Sequence, residues 1–112
     1  MSASATALLT NPTNDLHLSM ASAWEIAIKS GMKKLVLSTP FTTFIGKAIV
    51  SYQISLLPIT IDDCIAYEQL PFPTATHRDP FDRMIISHAL RHGMSIVGND
   101  LAFDAYGVSR LW

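Results

Sequence analysis

The sequence predicts a single α/β domain built on a parallel sheet, with helices on both faces. Short apolar segments of strand character alternate along the chain with longer helical patterns, and this alternation is typical of βαβ units. Crossovers between parallel strands are right-handed, so successive helices cover the sheet. The chain has 112 residues, enough for one modest core, and we interpret residues 1–112 as one domain.

Composition restricts the classes of protein to which the chain can belong. Hydrophobic residues make up 49% and charged residues 15%, which favours a globular domain with apolar surface buried against a partner or a second copy. The formal charge of −1 gives no overall basic field, so contacts to nucleic acid must come from local patches. No signal peptide and no membrane span are predicted. Cys64 is alone, which is consistent with a cytoplasmic setting.

The first part of the chain is predicted to alternate helix, strand and helix. A helix over residues 4–10 ends before Pro12, because the residue that precedes a proline disfavours helical backbone. A short apolar strand over residues 16–20 follows the turn-rich stretch NPTND. Ser22 is the expected N-cap of the next helix, AWEIAIKS, which Gly31 ends.

The second part continues the alternation. Pro40 is expected at the start of a helix that reaches residue 52, since proline is favoured at the first helical position. Gly93 closes the most strongly patterned helix. The further elements expected are a strand over 54–59, helices over 61–69 and 80–92, a strand over 94–97, and a final short strand in VSRLW.

Acidic residues fall where predicted strands give way to helices. Glu25 lies in the first turn of a helix that follows a strand, Asp79 and Asp82 open the helix over 80–92, and Asp100 follows the strand MSIV and its turn. Ligands of open parallel sheets bind at the carboxyl ends of the strands. Clustered carboxylates repel one another unless a cation neutralises them, and hard oxygen ligands suit Mg²⁺ or Mn²⁺. The pattern therefore predicts a Mg²⁺ or Mn²⁺ site.

Each acid also has a purely structural interpretation. Glu25 fits a capping box with Ser22, Asp79 is a good N-cap, Asp82 complements the helix dipole, and Asp100 fits a turn. These interpretations stay open for each residue taken singly.

The position of Asp82 on its helix favours a functional role. On helical spacing Asp82 shares a face with Ile85, Ile86 and Ala89, whereas Arg83 is expected on the solvated face. We therefore expect the Asp82 carboxylate to point along a buried or cleft-lining face.

Four segments together resemble a known family. They are SAWEIAIKSGMKKL, LPIT, LPFPTATHRDPFDRMIISHAL and IVGNDLAFDAYGV. In this order, from about residue 5 to the C-terminus, the chain resembles the PIN domain, specifically the VapC-type ribonuclease toxins of bacterial toxin–antitoxin pairs. The resemblance implies a three-layer α/β/α fold, a Mg²⁺ or Mn²⁺ ion at a carboxylate cluster, and endonucleolytic cleavage of RNA. It further implies a cognate antitoxin and a homodimer.

The family's metal-binding acids fall on Glu25, Asp82 and Asp100, with Asp79 a further candidate in the same motif. Domains of this family open with a strand that carries another metal-binding Asp, yet no acid precedes Asp15 here. The first family strand is therefore expected to be missing. Two interpretations follow: a truncated, catalytically impaired protein that acts as an antitoxin-binding or dimerisation module, or a misplaced start codon.

Basic residues and histidines add weaker candidates. Lys29 and Arg83 are candidates for contact with RNA phosphates, although surface solubility, or an i,i+4 pair of Lys29 with Glu25, is an equally simple explanation. His88 and His92 have the spacing of a zinc clip but no third ligand, so structural roles are favoured. The sequence does not define the RNA target, the antitoxin, the number of metal ions or the oligomeric state.

Overall fold

A computed structural model describes residues 1–112 and contains the expected alternation of helices and strands. The α-helices are α1 (Ala3–Thr10), α2 (Met20–Gly31), α3 (Phe41–Tyr52), α4 (Ile61–Gln69) and α5 (Pro80–His92), and a 3₁₀ helix spans Leu101–Tyr106. The strands are β1 (His17–Ser19), β2 (Ser55–Leu57), β3 (Ile96–Val97) and β4 (Arg110–Leu111). The strands are shorter than the sequence pattern predicts, and no helix has the length and apolar character needed to cross a membrane.

The strands form two separate parallel pairs. β1 pairs with β2, and β3 pairs with β4. Parallel pairing was predicted correctly, whereas the expected single sheet is wrong. Because each of the four strands has one partner only, each, β1 and β3 included, keeps one edge whose backbone N–H and C=O groups make no ladder hydrogen bonds.

An apolar groove of about 570 Å³ lies between the two sheets. We call it the intersheet groove. Its walls come from the strands and from the helices on either side, and they include Leu8, Leu18, Ile85, Ala89, Ile96 and Val97.

Helix α2 begins three residues earlier than predicted. Ser19 is its N-cap, and its hydroxyl accepts the backbone N–H of Ala21 at 3.1 Å. Ser22 lies inside the helix, so the predicted capping box between Ser22 and Glu25 is wrong. Two serines three residues apart compete for the cap, and Ser19 has the extended backbone at the end of β1 that an N-cap requires.

The hydrophobic core is small and lies against α5. Leu70, Ile86 and Phe103 form its buried centre. Helix α5 contacts α2, α4 and the 3₁₀ helix, and most of its central residues are buried. Many large apolar side chains remain exposed, among them Trp24 (59%) and Val36 (88%).

Candidate active site

Asp79 begins helix α5 as its N-cap. Its Oδ1 accepts the backbone N–H of Asp82 at 2.8 Å, and Pro80 occupies the first helical turn. The capping role predicted for Asp79 is therefore confirmed. The cap fixes the first turn of α5, and with it the Asp82 side chain.

Asp82 lies in a crowded acidic environment. Burial raises the pKa of Asp82, a hydrogen bond from His77 opposes that rise, and the negative charges of Asp79 and Glu25 add to it. Glu25 belongs to α2, so the α2–α5 contact brings carboxylates that are far apart in sequence into one electrostatic neighbourhood. The edge of the Trp24 ring meets Phe81 at a centroid distance of 5.1 Å and ties the two helices together beside the acids.

Glu25 also has a local partner. Its Oε2 lies 3.2 Å from Nζ of Lys29, whose side chain is half exposed. This i,i+4 pair was one of the explanations that the sequence left open for Lys29. It keeps a positive charge at the rim of the acidic region.

Asp100 lies in a different position from the other acids. It is exposed, and its Oδ1 accepts the backbone N–H of Ala102 at 3.0 Å, so it caps the 3₁₀ helix. No three His, Cys, Asp or Glu side chains of the chain lie close enough together to hold one metal ion. The assignment of Glu25, Asp82 and Asp100 as one ligand set therefore stays a prediction.

Arg83 does not face solvent, and the expectation that it lies on the solvated face of its helix is wrong. Its side chain is 2% exposed, and the guanidinium donates to the backbone C=O groups of Leu70 and Pro71 at 2.8 and 3.0 Å. It also lies 3.7 Å from the centroid of the Phe72 ring. Arg83 holds the loop before α5 against that helix and presents no exposed guanidinium to an RNA phosphate.

His77 is the residue of this site that the sequence patterns did not single out. Its Nε2 lies 3.2 Å from Oδ2 of Asp82, and its Nδ1 lies 2.7 Å from the hydroxyl of Tyr106. The only sequence feature that could have pointed to His77 was its place at the start of the segment HRDPFDR. Nothing in the sequence indicates Tyr106 as its partner, because 29 residues separate them.

A second acidic side chain, Asp63, is enclosed between α4 and α5. It accepts the backbone N–H and the hydroxyl of Thr60, both at 2.9 Å, and Nε of Arg91 lies 2.7 Å away. Nε2 of His88 is 3.2 Å from the same carboxylate, although not aligned for a hydrogen bond, and its Nδ1 lies 2.9 Å from the Ser19 hydroxyl.

His88 and His92 lie one turn apart on α5, with imidazole centroids 6.1 Å apart. No third ligand gathers with them. The structural role that the sequence favoured for both histidines stays a prediction.

The donors around Asp82 suit a hard divalent cation in part. Glu25 and Asp82 offer carboxylate oxygens. Burial is the main cause of the raised pKa of Asp82 and repulsion from Glu25 a smaller one, and a cation near Asp82 would oppose both. A third donor within reach is missing from the arrangement.

Parallel strands followed by helices, with carboxylates near the helix starts, define an α/β domain with an acidic site. The PIN domain family model matches residues 2–108, and the chain belongs to the PIN domain family. PIN domains are generally nucleases and typically use a divalent metal ion. A search of curated proteins and a search of solved structures found no match to this chain.

Proposed function

We propose that this PIN domain is a Mg²⁺- or Mn²⁺-dependent endoribonuclease, the toxin component of a type II toxin–antitoxin system. The observation that carries the proposal is the acidic environment of Asp82, where Asp79 and Glu25 add negative charge to a half-buried carboxylate. The side chains that oppose this charge are Lys29 at the rim, which pairs with Glu25, and His77, which lies at hydrogen-bond distance from Asp82. Perturbed carboxylates in a partly open site are typical of catalytic centres.

In the proposed mechanism, Glu25, Asp82 and Asp100 would hold the ion once they are brought together, and Asp79 fixes the first turn of α5. When bound at these carboxylates, a divalent ion would supply a polarised water and neutralise charge on the scissile phosphate. Lys29 is half exposed and can exchange its pairing with Glu25 for contact with an RNA phosphate. Arg83 has no part in binding RNA, because its guanidinium is enclosed.

We further propose that the active form has an additional strand in the intersheet groove. The free edges of β1 and β3 and the apolar lining of the groove support this proposal. In parallel with β1 and β3, such a strand would end near Ser19 and Val97, between the helix that carries Glu25 and the turn that carries Asp100. The acid that the family resemblance places on its first strand would then join the other carboxylates.

A protein partner is part of the proposal. The exposed apolar side chains of α2, Trp24 and Ile28 among them, provide surface for a cognate antitoxin or for a second copy in a homodimer.

The second candidate function is a catalytically impaired PIN-like protein that binds the antitoxin or dimerises. It is favoured by one observation: the chain brings no three ligands together. Metal-dependent cleavage of RNA by the 112-residue chain separates the two candidates.

Variants of the acids test the nuclease. We expect weak binding of Mn²⁺ in titration calorimetry, largely lost in Asp82→Asn and in Asp100→Asn. Asp62→Asn is the matched control, because Asp62 is exposed at the start of α4 and lies outside the site. Unchanged Mn²⁺ affinity in both Asp82→Asn and Asp100→Asn would show that the ligand set is wrong.

A graft tests the additional strand. A family-type first strand and helix placed ahead of Ser4 should raise metal-dependent RNA cleavage and make the protein more monodisperse, because the free edges invite association. The same graft with its strand Asp changed to Asn should be equally monodisperse and cleave slowly. If the ungrafted chain cleaves RNA as fast as the grafted one, the strand is dispensable.

A further inference from the structure

A continuous chain of hydrogen-bonding groups leads from the core to Asp82. Arg83 Nη1 lies 3.2 Å from the Tyr106 hydroxyl, that hydroxyl lies 2.7 Å from His77 Nδ1, and His77 Nε2 lies 3.2 Å from Asp82 Oδ2. We call these four residues the Arg83–Asp82 relay. Asp82 Oδ1 has no hydrogen-bond partner in the protein, so the relay holds one carboxylate oxygen and leaves the other free.

The three hydrogen bonds of the relay can all donate in the same direction, from Arg83 towards Asp82. A guanidinium only donates, so the Tyr106 oxygen accepts from Arg83 and its own hydrogen is available for another acceptor. Nδ1 of His77 at 2.7 Å is a better acceptor for that hydrogen than the His77 backbone oxygen at 3.5 Å. A neutral imidazole that accepts at Nδ1 carries its hydrogen at Nε2. That hydrogen points to Asp82.

The far end of the relay is rigid. The Arg83 guanidinium is fixed by the carbonyls of Leu70 and Pro71, and Tyr106 packs against the core. The His77 ring lies edge-on to Tyr106 at 5.4 Å, and its side chain is only 13% exposed. A hydrogen-bond donor anchored in this way restricts the rotation of the carboxylate that accepts from it.

We propose that His77 is a positioning residue, held by Tyr106 as its Nε2–H tautomer, that fixes Asp82 Oδ2 and leaves Oδ1 for a divalent cation. The metal part of this inference rests on the proposed nuclease function. The relay also gives the enclosed guanidinium of Arg83 a role in the site, since it sets the orientation of the Tyr106 hydroxyl.

Two substitutions of His77 distinguish the contact made by its Nε2 from the contact made by its Nδ1. The amide of a glutamine reaches as far as Nε2, so His77→Gln keeps a donor to Asp82. The shorter amide of an asparagine reaches only as far as Nδ1, so His77→Asn keeps a polar contact to Tyr106 and loses the donor to Asp82. Tyr106→Phe removes the group that selects the tautomer.

The metal-free protein is examined first by long-range ¹H–¹⁵N spectra of the imidazoles at pH 8. We expect the Nε2–H tautomer at His77, and a mixture of tautomers in Tyr106→Phe. The Asp82 ¹³Cγ signal should move in His77→Asn and stay near its wild-type position in His77→Gln. An Nδ1–H tautomer in the wild-type protein, or an Asp82 signal that is unmoved by His77→Asn, overturns the relay whether or not the protein is a nuclease.

Mn²⁺ titration then tests the consequence for metal binding. Loss of a group that orients a metal ligand weakens metal affinity about 10- to 100-fold, so we expect that loss in His77→Asn and recovery of most of the affinity in His77→Gln. Urea melts should show the two variants to be similarly stable. Equal affinities in the two variants overturn the positioning role. If no form of the protein binds Mn²⁺, the proposed function and the cation at Oδ1 are both overturned. If the tautomer and the Asp82 signal are nevertheless as expected, the orientation of Asp82 by His77 is established.

Discussion

Two aspartates, Asp63 on α4 and Asp82 on α5, each lie beside a histidine, and their environments are opposite. Burial by itself opposes ionisation of Asp63, but hydrogen bonds from the Thr60 backbone, from Arg91 and from the Thr60 hydroxyl outweigh it and hold the pKa of Asp63 well below its ordinary value. Burial raises the pKa of Asp82, and only the His77 hydrogen bond and charge oppose it, while neighbouring acids add to the rise.

The difference shows which carboxylate the fold uses for its own stability. Asp63 is 1% exposed, and its charge is balanced within the protein. Asp82 keeps one oxygen without a partner in the protein and has other negative charges near it, in a partly open position. A buried and fully paired carboxylate such as Asp63 stabilises the structure, whereas a partly open carboxylate near other acids, such as Asp82, is suited to bind a cation.

The largest effect is expected from Asp63→Ala. The substitution leaves the Thr60 donors and Arg91, which is 34% exposed, without their acceptor, and loss of hydrogen bonds to a charged group costs about 1.5–3 kcal/mol. Urea unfolding of the metal-free protein measures it. The neighbouring substitution Asp62→Ala is the control, since Asp62 is exposed and its loss should change the free energy of unfolding by no more than about 0.5 kcal/mol. Equal effects of the two substitutions would mean that the buried network contributes nothing specific.

Removal of the α5 cap should have an intermediate effect. Asp79→Ala deletes the acceptor of the Asp82 N–H and should lower the free energy of unfolding by about 0.5–2 kcal/mol. Asp82→Asn should be neutral or stabilising in the same urea melts, because it removes one of the repelling charges. If Asp82→Asn is the more destabilising of the two, the roles of cap and ligand are reversed.

The smallest effect is a pH dependence of opposite sign at the two aspartates. The lowered pKa of Asp63 gives stability that is present above about pH 3.9 and is lost as pH falls towards the folded-state pKa. The raised pKa of Asp82 gives stability that is present below about pH 3.9 and is lost as pH rises through the folded-state pKa.

Asp82→Asn should therefore stabilise the metal-free protein at pH 7 by up to about 1 kcal/mol and lose that gain at low pH. The loss of unfolding free energy caused by Asp63→Ala should also become smaller as pH falls. Urea melts between pH 3 and pH 8 measure both trends. A gain from Asp82→Asn that is larger at pH 3 than at pH 7 contradicts the environment assigned to Asp82.

Local signals in the sequence were sufficient for the order of helices and strands and for the ends of α5. Asp79 before Pro80, and Gly93 after the last turn, are short-range patterns that the structure follows, with Gly93 in the left-handed region at φ 65°. The start of α2 was misplaced because Ser19 and Ser22 are both good caps and only the end of β1 decides between them.

The parts that the sequence did not predict depend on contacts between distant segments. Arg83 was expected in solvent because helical spacing places it opposite the apolar stripe, but the loop that carries Leu70 and Pro71 folds over it and supplies acceptors. The link from His77 to Tyr106 spans 29 residues. Separation of the strands into two pairs is likewise a long-range property that no local pattern reveals.

The two separate sheets have a consequence for the way the molecule opens. β1 and β2 lie on the side of α2 and α3, β3 and β4 lie on the side of the 3₁₀ helix, and α5 is the element that contacts both sides. Without ladder hydrogen bonds between the pairs, each sheet can lose its backbone protection without the other. We therefore expect amide hydrogens of the two sheets to exchange with solvent in independent events, and those of the buried central turns of α5 to exchange only when the whole domain unfolds.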